Sequence, residues 1–317
     1  MNVGAIVVTH NSRRHVGACV RSLLEAGAEV VVVDNASSDS TVAAIAERFP
    51  QARLLANREN HGFAVAVNQA LAVVDAAVVL LVNPDCIVPP ETVRALAAHL
   101  AAHPEVGAVG PRLVGPNGRM AISAHPFESP LAVLASRFGG SVVPVSLRRL
   151  LSGRRRRATY DACCGGTRPL AVDWLSGACL ALRGPLFRRL GGLDAGYFMY
   201  YEDEELCLQV WHAGGRVEYL PAVAAVHVGG ASSGDPAAVW PHLYRSLLRF
   251  QARHYPRAFP LVRAAIFVRA VLGIAIGAGR DAVAALRGKP ARRALAWVRV
   301  ARLTLLEEPA TTSVEAL

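Results

Sequence analysis

Val3-Gly4-Ala5-Ile6-Val7-Val8 runs without a charge into Thr9-His10-Asn11-Ser12, and after an amphipathic stretch to Ala26 the chain repeats the figure, Glu29-Val30-Val31-Val32-Val33 running into Asp34-Asn35. Two short apolar strands separated by a helix imply a βαβ unit with a parallel sheet. Working outward, the alternation continues: a helix over Ser40 to Phe49, a strand over Arg53 to Ala56, a helix over Ala64 to Val73, and a strand over Ala77 to Val82 ending in Asn83-Pro84-Asp85. Pro89 opens a further helix to Ala102, and Val106 to Gly110 reads as the next strand. The fold class expected is therefore α/β. Polar residues gather where these strands end, the edge at which open α/β sheets bind ligands.

The phosphate loops of the commonest nucleotide folds are missing. No GxGxxG follows the first strand and no GxxxxGK[ST] occurs, so any nucleotide is held by another device. From Pro126 to Pro169 the periodicity fades into a basic stretch containing Arg148, Arg149 and Arg154 to Arg157, read as a long insertion. Order returns at Val172 to Leu182, followed by a helix near Pro185 to Leu190, an acidic run Glu202 to Glu205 opening a helix, and two strands, Arg216 to Leu220 and Val223 to Val228.

Composition narrows the class. The 317 residues are 53% apolar and 18% charged, which suffices for a large core and excludes a disordered solvating chain. Six cysteines form no CxxC pair, disfavouring structural zinc and a disulfide framework. The N-terminus lacks a basic segment before a long apolar one and reads as a first strand, so the head is expected in the cytoplasm. Of the net charge of +10, residues 240–317 carry +9. A near-neutral body with a basic, apolar tail points to an anionic surface.

The ordered set Val8-Thr9-His10-Asn11-Ser12, Val33-Asp34-Asn35-Ala36-Ser37-Ser38-Asp39, Asn60-His61-Gly62-Phe63-Ala64, Leu81-Val82-Asn83-Pro84-Asp85, Gly110-Pro111-Arg112-Leu113, Trp174-Leu175-Ser176-Gly177-Ala178 and Tyr201-Glu202-Asp203 resembles glycosyltransferase family 2, most of all its bacterial rhamnosyltransferase branch. The resemblance covers Val3 to Gly234. It implies a GT-A fold, a Rossmann-like and mainly parallel sheet flanked by helices. It divides the chain into a catalytic domain, 1–239, with a donor half to 115, a variable insertion at 126–169 and an acceptor half from 170, and a helical extension, 240–317. It implies an inverting transfer of sugar, rhamnose from dTDP-rhamnose, from a nucleotide-diphosphate donor to a glycan or polyprenyl-diphosphate-linked acceptor in cell-wall or surface polysaccharide synthesis.

Such a reaction presents a base and ribose, two phosphates and an anomeric carbon, and the resemblance assigns residues to each. The donor falls to Thr9, Asn11, Asp34, Asn35, Gly62, Asn68 and Asn83. Asp34 at a strand end can accept from a base N–H or a ribose hydroxyl, though Asp34-Asn35-Ala36-Ser37-Ser38 is also good turn chemistry. Asn83-x-Asp85 stands where two carboxylates usually hold a divalent cation, Mg2+ or Mn2+, against the diphosphate, with His227 as a second contact and Gly229-Gly230 as a closing loop. An acidic run opening a helix suits solvent in any protein, but Asp203 shares a helical stripe with Leu206, Cys207 and Val210 that turns it inward, and the resemblance assigns it as the base with Glu202 in reserve. Trp174 and Gly177 are assigned to the acceptor, with Trp174 either a stacking ring or an ordinary core residue, and Arg112 to the shape of the cleft.

Leu261 to Gly279 is long enough as a helix to approach a bilayer core but contains Arg263 and Arg269, so helices lying in the membrane interface are expected, continued by Ala291 to Leu306. The enzyme is then peripheral to the inner face of the plasma membrane. An ordinary helical extension packed on the enzyme, or on a second copy in a homodimer, is the alternative. Nucleic acid is not an expected partner, because the basic residues alternate with aliphatic ones and few aromatics are available for stacking. The second reading from another class is a non-catalytic membrane-binding module on a degenerate glycosyltransferase fold.

Overall fold

The structure, a computed structural model, describes residues 1–138, 166–229, 236–286 and 292–306. The arginine run at 148–157, Cys163, Cys164, Gly230 and Lys289 lie outside the described residues. The chain divides into two compact units, the first from Met1–Phe127, Arg155–Phe198 and Glu202–Ser232, the second from Glu128–Arg154, Met199–Tyr201 and Ser233–Leu317.

In the first unit, the strands β1 (Val3–Thr9), β2 (Glu29–Asn35), β3 (Arg53–Asn57) and β4 (Val78–Val82) pair in parallel in the order β3-β2-β1-β4. Their valine runs are buried on both faces, as a sheet covered by helices on each side requires. Alternate residues divide between two cores. Ala5, Val7, Val30, Val32 and Leu80 pack with Cys19, Val20 and Leu23 of α1 (Val16–Glu25), whereas Ile6, Val8, Val31, Val33 and Leu81 pack with Ala66, Val67 and Ala70 of α3 (Phe63–Leu71). Helix α2 (Thr41–Arg48) joins β2 to β3.

Beyond β4 the sheet changes character. After the short β5 (Cys86–Ile87) and the helix α4 (Pro90–Ala102), strand β6 (Val106–Val114) does not pair with β4. Strand β11 (Cys179–Arg183) lies between them, antiparallel to both. Short strands β7 (Met120–Ala121) and β9 (Leu170–Ala171) edge the sheet, and β8 (Ala124–His125) pairs separately with β10 (Trp174–Leu175). The helices α6 (Gly184–Arg189) and α7 (Glu202–His212) follow.

The two strands expected at 216–228 are one, β12 (Arg216–His227), parallel to β6 with a register shift between Leu220 and Ala224. Pro221 lies in the shift; it has no N–H to give the ladder, and a bulge absorbs the missing bond without ending the strand.

In the second unit a helix α5 (Pro130–Phe138) occupies part of the stretch whose periodicity fades. Its start was legible in Ser129-Pro130: the Ser129 hydroxyl accepts from the Ala132 N–H, and proline at the first helical position gives up an N–H that has no partner there. Three more helices follow, α8 (Pro236–His254), α9 (Phe259–Leu286) and α10 (Arg293–Leu306). α9 buries Val262, Ile266, Ala270, Gly273 and Gly277 in one stripe. The Gly273 and Gly277 pair lets α10 approach, since a Cβ at Gly273 would enter the Trp297 ring and one at Gly277 would meet the backbone of Ala294. Asp281 caps α10 by accepting from the N–H groups of Arg293 and Ala294 at 3.2 and 2.9 Å. Arg263 donates to the Thr304 carbonyl at 2.6 Å, and Arg269 lies 4.5 Å from the Trp297 ring centre while donating to the Arg137 carbonyl. Both arginines of the expected interfacial helix are thus engaged within the unit.

Candidate active site

The assigned residues of the first unit lie largely along one edge of the sheet. Thr9 and Asp34 are register partners at the ends of β1 and β2, and the Thr9 hydroxyl donates to Asp34 Oδ1 at 2.8 Å. Asp34 also accepts from the Ser37 hydroxyl at 2.5 Å and the Ser37 N–H at 2.8 Å, and it is 1% exposed. Its carboxylate therefore anchors the loop after β2, the turn reading of Asp34-x-x-Ser37. Ser37 is a site-building residue that the motif contained and the sequence reading gave no role. What this edge offers a ligand is exposed instead on Asn11, whose side-chain oxygen accepts from the Ser38 N–H at 2.8 Å, and on His10.

Asn35 and Gly62 are structural partners. The Asn35 amide donates to the Gly62 carbonyl at 2.9 Å and accepts from Asn57 at 3.0 Å. Gly62 has φ +84°, and a Cβ there would strike the carbonyl of Phe198, so only glycine lets the start of α3 meet that segment. Asn68 stands apart from the donor group: its amide donates to the Leu193 carbonyl at 2.7 Å and accepts from the Leu193 N–H at 2.8 Å, a two-bond clamp between α3 and the turn after α6.

Asn83 and Asp85 follow β4 at the same edge. Asp85 Oδ1 lies 3.3 Å from His227 Nε2 at the end of β12, and Oδ2 accepts from the Gly229 N–H at 3.1 Å. Burial opposes ionisation of this carboxyl, but His227 and the N–H groups around it outweigh burial and hold it below the usual range. Among the described residues no three His, Cys, Asp or Glu side chains are grouped to hold a metal. A carboxylate and an imidazole side by side nevertheless fit a divalent cation whose other ligands are substrate phosphates, the habit of Mg2+ and Mn2+. Asn83 makes no side-chain hydrogen bond among the described residues. Its N–H donates to the Ala178 carbonyl at 3.0 Å, stitching the end of β4 to the start of β11.

One residue before that stitch, the Gly177 N–H donates to Asp203 Oδ2 at 3.1 Å, while Asp203 Oδ1 accepts from the Glu204 N–H at 2.9 Å. Gly177 thus contributes its backbone; a Cβ there would make only ordinary contact with Asp203. Burial raises the Asp203 carboxyl above its ordinary range against the pull of both N–H groups. Glu202 is raised further by burial and by the Asp203 charge, and its Oε2 is buried with no partner. Asp203 is half-buried on the side its helical stripe predicts, whereas its neighbours Glu204 and Glu205 are fully buried, at 1% and 2% exposure. Glu205 is held by Gln209 one helical turn on at 2.8 Å, and by the Tyr197 hydroxyl at 3.0 Å, a contact no local spacing reveals. Trp174, half-buried, stacks on His125 with ring centres 4.4 Å apart, donates to the Pro126 carbonyl and packs against the core that holds Leu175 and Tyr219. Arg112 donates to the Gly166 carbonyl at 3.4 Å.

Comparison with known proteins places this geometry. The family model "Glycosyl transferase family 2" matches residues 5–156. An N-acetylglucosaminyl-diphospho-decaprenol L-rhamnosyltransferase of Mycobacterium tuberculosis is 31% identical over 248 residues, 74% of this chain and 78% of that protein. Among solved structures, a mannosyltransferase of Pyrobaculum calidifontis in complex with GDP-Man and Mn2+ aligns with TM-score 0.54 at 20% identity, over 96% of this chain and 87% of that one. GalNAc-T7 with UDP, GalNAc and Mn2+ aligns with TM-score 0.59 at 15% identity, over 82% of this chain and 49% of that one. The chain belongs to glycosyltransferase family 2 and carries the GT-A fold.

Proposed function

We propose that this glycosyltransferase moves rhamnose from dTDP-rhamnose to a polyprenyl-diphosphate-linked glycan at the cytoplasmic face of the plasma membrane, with inversion at the anomeric carbon. The observation that carries the reading is the stitch between β4 and β11, which sets Asp85 and Asp203 at the two ends of a short stretch of backbone: the Asn83 N–H donates to the Ala178 carbonyl, and the Gly177 N–H donates to Asp203. A diphosphate held at one end and a proton acceptor at the other is what displacement at a sugar carbon needs.

In the reaction the acceptor hydroxyl oxygen forms a bond to the anomeric carbon as its proton passes to an Asp203 oxygen. The bond from that carbon to the diphosphate oxygen breaks, and the nucleoside diphosphate leaves with the electron pair. The Gly177 and Glu204 N–H groups fix the carboxylate in direction, and burial raises its basicity. Asp85 and His227 would hold a divalent cation, whose charge offsets that of the leaving diphosphate. The exposed polar groups of Asn11 and Ser38 would meet the nucleoside, with Asp34 and Thr9 holding their loop. The exposed part of Trp174 would meet the acceptor sugar. Rhamnose and the lipid-linked acceptor rest on the likeness to the Mycobacterium tuberculosis rhamnosyltransferase, whose name includes both.

The test is release of nucleoside diphosphate from a panel of nucleotide sugars in the presence of membrane lipid extract, with Mg2+, Mn2+ or chelator, for the wild type and Asp85→Ala. Metal-dependent release from dTDP-rhamnose alone, lost in the variant, is the expected result. Release from a UDP-linked hexose in its place overturns the donor assignment, and full activity in chelator overturns the metal.

A further inference from the structure

The second unit carries a surface that transfer chemistry does not use. On α9, Leu261, Val268, Leu272, Ile276, Val283 and Leu286 are between 49% and 88% exposed. At about 100° per residue these positions fall in one arc of the helix, beside and outside its buried stripe. No charge interrupts that side: Arg263 and Arg269 are engaged within the unit and Asp281 is spent on the α10 cap. On α10, exposed Leu295, Val298, Leu305 and Leu306 alternate with exposed arginines. Arg280, Arg292, Arg293, Arg299 and Arg302 make no ion pair with a carboxylate among the described residues, and Asp281 is the sole acid in residues 236–286 and 292–306.

We infer that the α9–α10 hairpin lies in the plane of an anionic lipid leaflet, its aliphatic side chains among the acyl chains and its arginines at the headgroups. An apolar strip bordered by unpaired cations is complementary to a surface that is negative outside and hydrocarbon within. A second copy fits less well, because a twofold contact through this face would oppose arginine to arginine with no acid but Asp281 among the described residues of these helices to answer them. A span fits less well too. At about 1.5 Å per residue the 14 residues of α10 reach about 21 Å, short of a hydrocarbon core of about 30 Å, and a span of α9 over 261–279 would carry Arg263 and Arg269 into the hydrocarbon. The inference is independent of which sugar is transferred.

The experiment is co-sedimentation of the full chain with vesicles of phosphatidylcholine alone or mixed with phosphatidylglycerol, at low and high salt. Two double variants run beside the wild type, Arg299→Gln with Arg302→Gln, and Leu272→Ser with Ile276→Ser; the substituted side chains are exposed, and circular dichroism checks the fold. The wild type is expected to bind the mixed vesicles more tightly than the neutral ones. The arginine variant should lose roughly 25-fold on mixed vesicles at low salt, the effect of about 1 kcal/mol per basic residue, and little on neutral ones. The aliphatic variant should lose affinity for both. Failure of the wild type to bind mixed vesicles, or unchanged binding by both folded variants, overturns the inference. So does a wild-type dimer in vesicle-free solution that Leu272→Ser with Ile276→Ser converts to monomer, which would make the face a self-contact.

Discussion

Asp203→Asn separates the chemistry of this site from its architecture. In the wild type, Oδ2 accepts from Gly177 at 3.1 Å and Oδ1 from Glu204 at 2.9 Å. An asparagine keeps one acceptor oxygen and turns an NH2 group toward the other N–H, so one bond is lost at about 1–3 kcal/mol. Removal of a buried charge beside Glu202 offsets part of that loss, and the variant is expected to fold. Loss of a positioned general base costs about 10²- to 10⁴-fold in rate, or about 2.7–5.4 kcal/mol of transition-state stabilisation. Steady-state release of nucleoside diphosphate should show that fall in kcat, while calorimetry shows donor affinity changed by no more than about twofold. The pH profile is a second readout. The base acts only when ionised, and burial raises its pKa, so wild-type kcat should fall with decreasing pH above the range near 3.9 where an ordinary aspartate titrates. That limb should vanish in the variant. A folded Asp203→Asn enzyme within tenfold of wild-type kcat, with the same acid limb, refutes the assignment of the base.

Glu202→Gln should raise the melting temperature at neutral pH and leave it unchanged near pH 4: the folded carboxyl holds its proton well above the usual range while the unfolded one releases it near about 4.3, so stability drains away as pH rises between those values. Asn68→Ala should lower stability by about 1–3 kcal/mol in urea titrations, from two lost bonds to Leu193, with the donor KM unchanged; a raised KM at intact stability would return Asn68 to the donor site. Gly62→Ala should cost at least about 1–3 kcal/mol, from an unfavourable φ and a collision with the Phe198 carbonyl, seen as a lowered melt; a neutral effect would show that the segment yields.

The strands and helices of the first third were legible because each obeys one period: valine runs buried on both faces, and helices whose apolar residues recur on one side. Asp203 was legible for the same reason, one helical stripe with Leu206, Cys207 and Val210. What the sequence could not show is pairing between distant segments. That Asn68 answers Leu193, that Gly229 reaches Asp85 and that Tyr197 holds Glu205 depend on the path of the chain and leave no spacing to read. Asp34 shows the limit of a residue type: a carboxylate at a strand end suits a ribose or a turn equally, and Thr9 and Ser37 together decide for the turn.

The antiparallel β11 between β4 and β6 governs how such an enzyme can be re-engineered. Both long neighbours of β6, β11 and β12, come from the later part of the sequence. A chimera that joined the first 115 residues of one homologue to the remainder of another would therefore splice two sequences inside a single sheet, every strand pairing of β6 becoming a hybrid. Grafts confined to the loops that leave the strands keep each ladder within one parent, so recombination for altered sugar preference should be planned by strand end and not by halves.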